Sequence, residues 1–263
     1  MGPAGAMCRT CGTELRHGAR FCDGCGAPAP EPGEQAEFKQ VTVLFADVVG
    51  SLAIASAVGA ERLREMMADV YGRAATSTRR YGGTVNQFTG DGIMAVFGAP
   101  VALEDHAFRA CLAALDIQEQ MAQLAGEVQR RDGVVLRLRV GLNSGRLIAG
   151  EIGSGPTGYT AVGEQVGLAQ RMESVAPPGG VLLTESTARL VEHTTVLGAP
   201  EWVYVKGAEE PLPARRLLGA AADRGRPRPK PVPDHLVPST PSLTDISPLR
   251  AADGNAGGCP RGR

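Results

Sequence analysis

Val41-Thr-Val-Leu-Phe-Ala-Asp47-Val-Val-Gly-Ser51 is β-branched and apolar as far as Ala46, and then ends on a carboxylate. It predicts a buried strand over Val41–Ala46 that delivers Asp47 at its end and turns through Gly50 into a helix. Such a turn places a metal ligand beside free backbone N–H donors. Further along, Asn86-Gln-Phe-Thr-Gly-Asp91-Gly92 sets a Gly-Asp-Gly turn between two alternating segments, Thr84–Phe88 and Ile93–Phe97. That pattern predicts a β-hairpin with a carboxylate at its tip. Two Asp residues on two such turns suit a pair of divalent cations held over a triphosphate. Their hard oxygens select Mg²⁺ or Mn²⁺, and such ions sit ~3.5–4 Å apart.

The rest of the chain surrounds this pair. Its 263 residues hold one well-buried domain plus small appendages. A formal net charge of −1 gives no electrostatic case for nucleic acid or an anionic membrane as the main partner. No apolar run reaches the length of a membrane span, and polar residues follow Met1 too soon for a secretory signal. The expected location is cytoplasmic.

Cys8-Arg-Thr-Cys11 and Cys22-Asp-Gly-Cys25 form a compact pair of C-x-x-C motifs, each followed by glycine, Gly12 and Gly26. Four thiolates at this spacing suit a tetrahedral structural Zn²⁺. Two disulfides or a redox pair are the rival readings, and the absence of an export signal favours zinc. A segment with so few apolar residues would take its stability from the metal. Residues 1–26 thus resemble a zinc ribbon, with a protein partner as one use for it. Residues 27–38, rich in Pro, Glu and Gly, read as a linker.

Leu63, Met66, Met67, Val70, Ala74 and Tyr81 recur at helical spacing before Gly82-Gly83. A second stripe, from Ala107 through Cys111, Ile117, Met121 and Leu124 to Val128, predicts a helix over 104–130, with Cys111 as a core thiol. His106 is expected on the surface or as a cap. Strands are predicted over Val135–Leu142, Gly145–Ile152, Val181–Thr184, Trp202–Val205 and Ala214–Leu218, with a turn over 153–158, and helices over Glu164–Val175 and Glu185–Glu192. On the first of these helices Val166, Ala169, Met172 and Ala176 face inward, while Gly167 and Arg171 share another face. Mixed elements with adjacent antiparallel hairpins argue for an α+β sandwich. After Ala220 the hydrophobic pattern ends, so residues 220–263, with the basic run 224–230 and Cys259, are expected to be a disordered tail.

Phe45-Ala-Asp47-Val-Val-Gly-Ser51, Phe88-Thr-Gly-Asp91-Gly92 and the stretch from Tyr159 through Arg171-Met-Glu173 together resemble the class III adenylate/guanylate cyclase catalytic domain of the actinobacterial type, over residues 39–219. The resemblance implies a ferredoxin-like core and cyclisation of ATP, or GTP, in which the ribose 3′-oxygen attacks the α-phosphorus and pyrophosphate leaves. It implies that Asp47 and Asp91 carry two Mg²⁺ or Mn²⁺, and that Val48, Val49, Gly50 and Ser51 cradle the phosphates. Arg171 matches the transition-state arginine, whose planar fork suits a pentacovalent phosphate. Lys206 matches a phosphate-binding lysine. It further implies a head-to-tail homodimer, with the two Asp on one subunit and Gln87, Thr160 and Arg171 supplied by the other.

Three positions depart from the family pattern. Gln87 stands where the purine-reading lysine is found, Thr160 where its partner aspartate is, and Gly167 where an asparagine precedes the arginine by four residues. Gln87 offers a donor or an acceptor through its amide, so ATP over GTP is an expectation. Gly167 offers no side chain to the substrate, and one missing preorganised contact commonly costs ~10²–10³ in rate. A weak cyclase and a retired cyclase-homology regulator therefore both stand as readings. A zinc-ribbon nucleic-acid binder rests only on the four cysteines and the tail.

Overall fold

The computed structural model describes residues 8, 10–16, 19, 21–27, 37–151, 159–162 and 164–221. The basic run, Cys259, the turn at 153–158 and most of the linker and tail lie outside them.

The elements run β1 (Glu37–Val48), α1 (Ser51–Val58), α2 (Ala60–Arg80), β2 (Thr84–Phe88), β3 (Gly92–Phe97), α3 (His106–Asp132), β4 (Leu138–Glu151), β5 (Tyr159–Val162), α4 (Glu164–Val175), β6 (Val181–Thr184), α5 (Glu185–Val191), β7 (Thr195–Leu197), β8 (Glu201–Val203) and β9 (Leu212–Ala220). The sheet order is β2-β3-β1-β4-β6-β9-β7, with β5 on β4 and β8 on β9. β1 is antiparallel to both β3 and β4, and β4 is parallel to β6. No described helix is long and apolar enough to cross a membrane.

The middle of β1, residues 41–46, is apolar apart from Thr42 and is buried on both faces. Leu44, Ala46 and Val48 join the main core beneath α2 and α3. Val41, Val43 and Phe45 face the other way, in a cluster with Ala169 and Val166 of α4. The period of two along a strand carries Asp47 onto that second, α4-covered face. The α3 stripe is buried as its periodicity required, and Cys111 is a fully buried thiol pushed up by desolvation.

Two expectations fail. Residues 138–151 form a single strand, not two, because β1 supplies a partner all along, from Val48↔Leu138 to Glu37↔Ala149. Asn143-Ser144-Gly145, turn-like in composition, lies inside it. Asn143 donates to the Gln165 carbonyl at 2.9 Å and accepts from Thr184, so its polarity is met by tertiary contacts. His106 is neither on the surface nor a side-chain cap. It is buried, and its Nδ1 shares a 2.7 Å hydrogen bond with the Thr42 hydroxyl, which also bonds Ser144 at 2.7 Å. The short strand β7 had no sequence signal strong enough to mark it.

Candidate active site

The two carboxylates meet because β1 and β3 are neighbours in register. Asp47 lies opposite Gly92 on one side and Arg139 of β4 on the other. Asp91 precedes Gly92, and only glycine fits there: a Cβ would stand 2.3 Å from the Ala46 carbonyl and 2.6 Å from Asp47 Oδ1. The hairpin tip is pinned from several directions. The Val48 amide donates to the Asp91 carbonyl at 3.1 Å, and Ser51 Oγ donates to Asp91 Oδ2 at 2.7 Å. The Tyr71 hydroxyl of α2 donates to the Gly90 carbonyl.

Asp47, Val48, Val49, Gly50, Ser51, Leu52, Asp91, Arg139 and Glu173 line a cleft of about 200 Å³. Burial, then the Asp91 carboxyl beside it, pushes Asp47 up to about 8. Burial likewise pushes Glu173 up to about 7, against the pull of the Arg139 guanidinium. Two carboxylates forced together in a half-buried cleft form a donor set that hard cations neutralise, so the residues fit two Mg²⁺ or Mn²⁺. A larger cleft of about 460 Å³, lined by α3 and the start of β4, contains no carboxylate and lies apart from this chemistry.

The expected phosphate cradle runs along the turn from Val48 to Ser51. The Val48 and Val49 amides are committed, to Asp91 and to Arg137 at 2.9 Å. Among the described residues, those of Gly50, Ser51 and Leu52 have no backbone acceptor. Gly50 turns into α1 at φ 69°, a conformation that favours glycine.

Arg171 is not in this cleft. It is half-buried on α4, and its guanidinium lies 3.8 Å from where a Cβ on Gly207 would be, beside exposed Lys206. Among the described residues neither side chain has a hydrogen-bond or ion-pair partner. Gln87 is exposed on β2. Thr160 lies on β5 opposite Gly150, and β2 and β5 touch. One chain therefore carries two separate groups of candidate residues: Asp47 and Asp91 in the cleft, and Arg171 with Lys206 at the Gly207 turn.

Arg139 and Glu173 were missed by sequence reasoning. The signal for Glu173 was present: it follows Ala169 by four and Val166 by seven, on the inward stripe of α4. Arg139 announced itself only through register.

The four cysteine sulfurs lie within 4.8 Å of one another. Cys8 and Cys25 are 3.7 Å apart and Cys11 and Cys22 3.6 Å, near the ~3.8 Å edge of a tetrahedron with ~2.3 Å Zn–S bonds. Gly12 and Gly26 turn at φ 73° and 67° to close each knuckle onto Cys8 and Cys22. Hydrogen bonds from Thr13 pull the Cys11 thiol down, while the neighbouring sulfurs push Cys25 up to about 12. The cluster is compatible with a zinc ribbon.

An α+β sandwich of this order is the class III nucleotide cyclase fold. The chain belongs to the adenylate and guanylate cyclase catalytic domain family, whose profile matches residues 34–213. Adenylate cyclase 1 of Rhizobium meliloti (strain 1021) is 30% identical over 158 residues, 59% of this chain and 24% of that protein. The membrane guanylyl cyclase of Dictyostelium discoideum is 28% identical over 157 residues, 59% of this chain and 10% of that protein. The chain thus spans a quarter or less of these curated relatives. Among solved structures, the guanylyl cyclase Cya2 superposes with a TM-score of 0.67 at 26% identity, covering 73% of this chain and 98% of that one. The adenylyl cyclase CyaB from P. aeruginosa gives 0.64 at 27%, covering 72% and 97%.

Proposed function

We propose that the domain cyclises a purine nucleoside triphosphate, ATP before GTP, to the cyclic monophosphate and pyrophosphate. The observation that carries this reading is the meeting of Asp47 and Asp91 in one cleft beside the open amides of Gly50, Ser51 and Leu52. In the reaction the ribose 3′-oxygen gives its proton to water and bonds to the α-phosphorus, while the α-phosphorus–oxygen bond breaks and pyrophosphate leaves with that electron pair. Two Mg²⁺ or Mn²⁺ held by Asp47 and Asp91 would supply the charge that makes the 3′-hydroxyl acidic and neutralises the phosphoryl oxygens. The open amides and Arg139 hold the polyphosphate.

A cleft of about 200 Å³ takes cations and phosphates, but it is smaller than the ~300–1,000 Å³ of ordinary small-molecule sites. The base, the ribose and the transition-state charge need other surfaces. A second copy, packed head to tail, brings its Arg171 and Lys206 to the phosphates and its Gln87 and Thr160 to the purine, giving two equivalent composite sites. The Gln87 amide reads either purine, so preference for ATP is the weaker part of the proposal. Cys8, Cys11, Cys22 and Cys25 hold a structural Zn²⁺, and the ribbon so formed is a docking piece for a protein partner.

The purified chain with Mn²⁺ and ATP or GTP is expected to release cyclic nucleotide, and Asp47→Ala to abolish it. No product above that variant, at protein concentrations that drive dimerisation, refutes the reading. The retired-module reading is favoured by one observation, Gly167 on the face that carries Arg171. It predicts nucleotide binding without turnover.

A further inference from the structure

Glu173 is the third carboxylate of the cleft. It lines the same walls as Asp47 and Asp91, yet it is only 8% exposed. Among the described residues no hydrogen bond or ion pair reaches its carboxyl group. Its oxygens are not among the fully enclosed polar atoms without a partner, so they open onto the cleft, where a cation or its water would meet them. Arg139, the only cationic side chain on the lining, does not fill that place. Its Nη1 donates to the Ser174 carbonyl at 3.1 Å, and its Nε is buried with no acceptor.

Glu173 also has little freedom to move. α4 lies directly on β4, so that a Cβ on Gly141 would fall 2.1 Å from the Glu173 amide nitrogen and 2.4 Å from the Ala169 carbonyl. The backbone that carries the carboxylate is therefore fixed against the strand that carries Arg139.

The placement rules out one role. Among the described residues, the only group of three or more potential ligands with donor atoms within 4.8 Å of one another is the cysteine quartet. Glu173 therefore does not grip a single ion together with Asp47 and Asp91. Mg²⁺ and Mn²⁺ bound by one or two carboxylates keep several waters, however, and those waters are strong donors. A fixed carboxylate one water away from the ion accepts from them and adds its charge to the site.

We infer that Glu173 is a positioning residue of the cation site, acting through the water that stays on the ions held by Asp47 and Asp91. This rests on the metal pair proposed above. It requires that removing the Glu173 charge weakens cation binding even when no nucleotide is present.

The test is a Mn²⁺ titration of the whole 263-residue chain without nucleotide, followed by the paramagnetic resonance of free Mn²⁺. Wild type is compared with Asp47→Ala, Glu173→Gln and Glu173→Asp. Glu173→Gln keeps the shape and removes the charge. It is expected to bind Mn²⁺ about 10–100-fold more weakly, with circular dichroism and Tm unchanged. Glu173→Asp keeps the charge one methylene further back and is expected to fall between Glu173→Gln and wild type. Wild-type affinity in folded Glu173→Gln overturns the inference and leaves the metal pair standing. If Glu173→Gln fails to fold, Glu173→Asp decides: weaker binding supports the inference, and wild-type affinity overturns it. Wild type that binds no Mn²⁺, or binding that survives in Asp47→Ala, overturns both.

Discussion

Gly167→Asn isolates the one backbone position at which this chain lacks a side chain that the chemistry would use. An ideal Cβ at Gly167 meets no atom within 4 Å, and the residue is in the middle of a regular helix. Asparagine therefore enters without displacing anything. Replacing a mid-helix glycine gains only a few tenths of a kcal/mol, since glycine costs about 1 kcal/mol relative to alanine and asparagine somewhat less. At about 2–4 °C per kcal/mol for a domain of this size, Tm should rise by roughly 1 °C. Any larger change is then a property of the site.

The carboxamide would project one turn before Arg171, on the same face of α4. If it restores one preorganised contact to the transition state, kcat should rise ~10²–10³-fold, equivalent to about 2.7–4 kcal/mol. Because such a contact forms mainly in the transition state, KM should change little. The assay is cyclic nucleotide release at saturating Mn²⁺ and ATP, for wild type, Gly167→Asn and Gly167→Asn with Gln87→Lys. A folded Gly167→Asn protein whose kcat stays within about threefold of wild type refutes the argument that the missing side chain limits the rate. A silent wild type with an active double variant favours the retired-module reading.

Gly92→Ala should be costly in two ways, because its Cβ would fall 2.3 Å from the Ala46 carbonyl and 2.6 Å from Asp47 Oδ1. Overpacking of this kind typically costs about 1–3 kcal/mol, read as a lower Tm, and Mn²⁺ binding measured by calorimetry should fall with it. Elemental analysis of the whole 263-residue chain should find zinc equimolar with protein, and Cys11→Ser with Cys22→Ser should remove it without abolishing the folded cyclase domain. His106 is held neutral by burial, which lowers its pKa, so the stability tied to it is present above the usual histidine range and lost as pH falls through the folded-state value. The difference in Tm between wild type and His106→Asn, followed from about pH 7.5 to about pH 5, should therefore shrink as pH falls. Asp47 and Glu173, shifted upward, have the opposite sign in both proteins and cancel in the difference.

The carboxylate pair was legible because each Asp sits where a hydrophobic period breaks at a glycine, and a strand end and a hairpin tip are local features. The cysteine quartet was legible from spacing alone. What escaped depended on partners distant in sequence. Asn143-Ser144-Gly145 has turn composition, yet β1 holds it in a strand and Gln165 and Thr184 meet its polarity. His106 is surface-like by type, but Thr42, brought beside it by β1, gives it a buried partner. Arg139 reached the cleft only through the register that sets it opposite Asp47. Glu173 was readable in principle from the inward stripe of α4, but a glutamate on an apolar face invites dismissal as a solvated side chain.

α4 carries Arg171 and Glu173 two residues apart, about 200° around the helix axis at about 100° per residue. One side chain lies by the Gly207 turn and the other enters the cleft. Gly141 lets the helix backbone rest directly on β4 with no side chain between. β4 in turn is paired with β1 along its length, so Arg139 and Asp47 move with it. Within one protomer, the separation between the carboxylate half-site and the arginine half-site is thus set by sheet pairing and one glycine contact. In the proposed dimer, the variable left for control is how the two copies meet. Regulation of such an enzyme would then act on the pairing of protomers, not on movement of the catalytic helix within one of them.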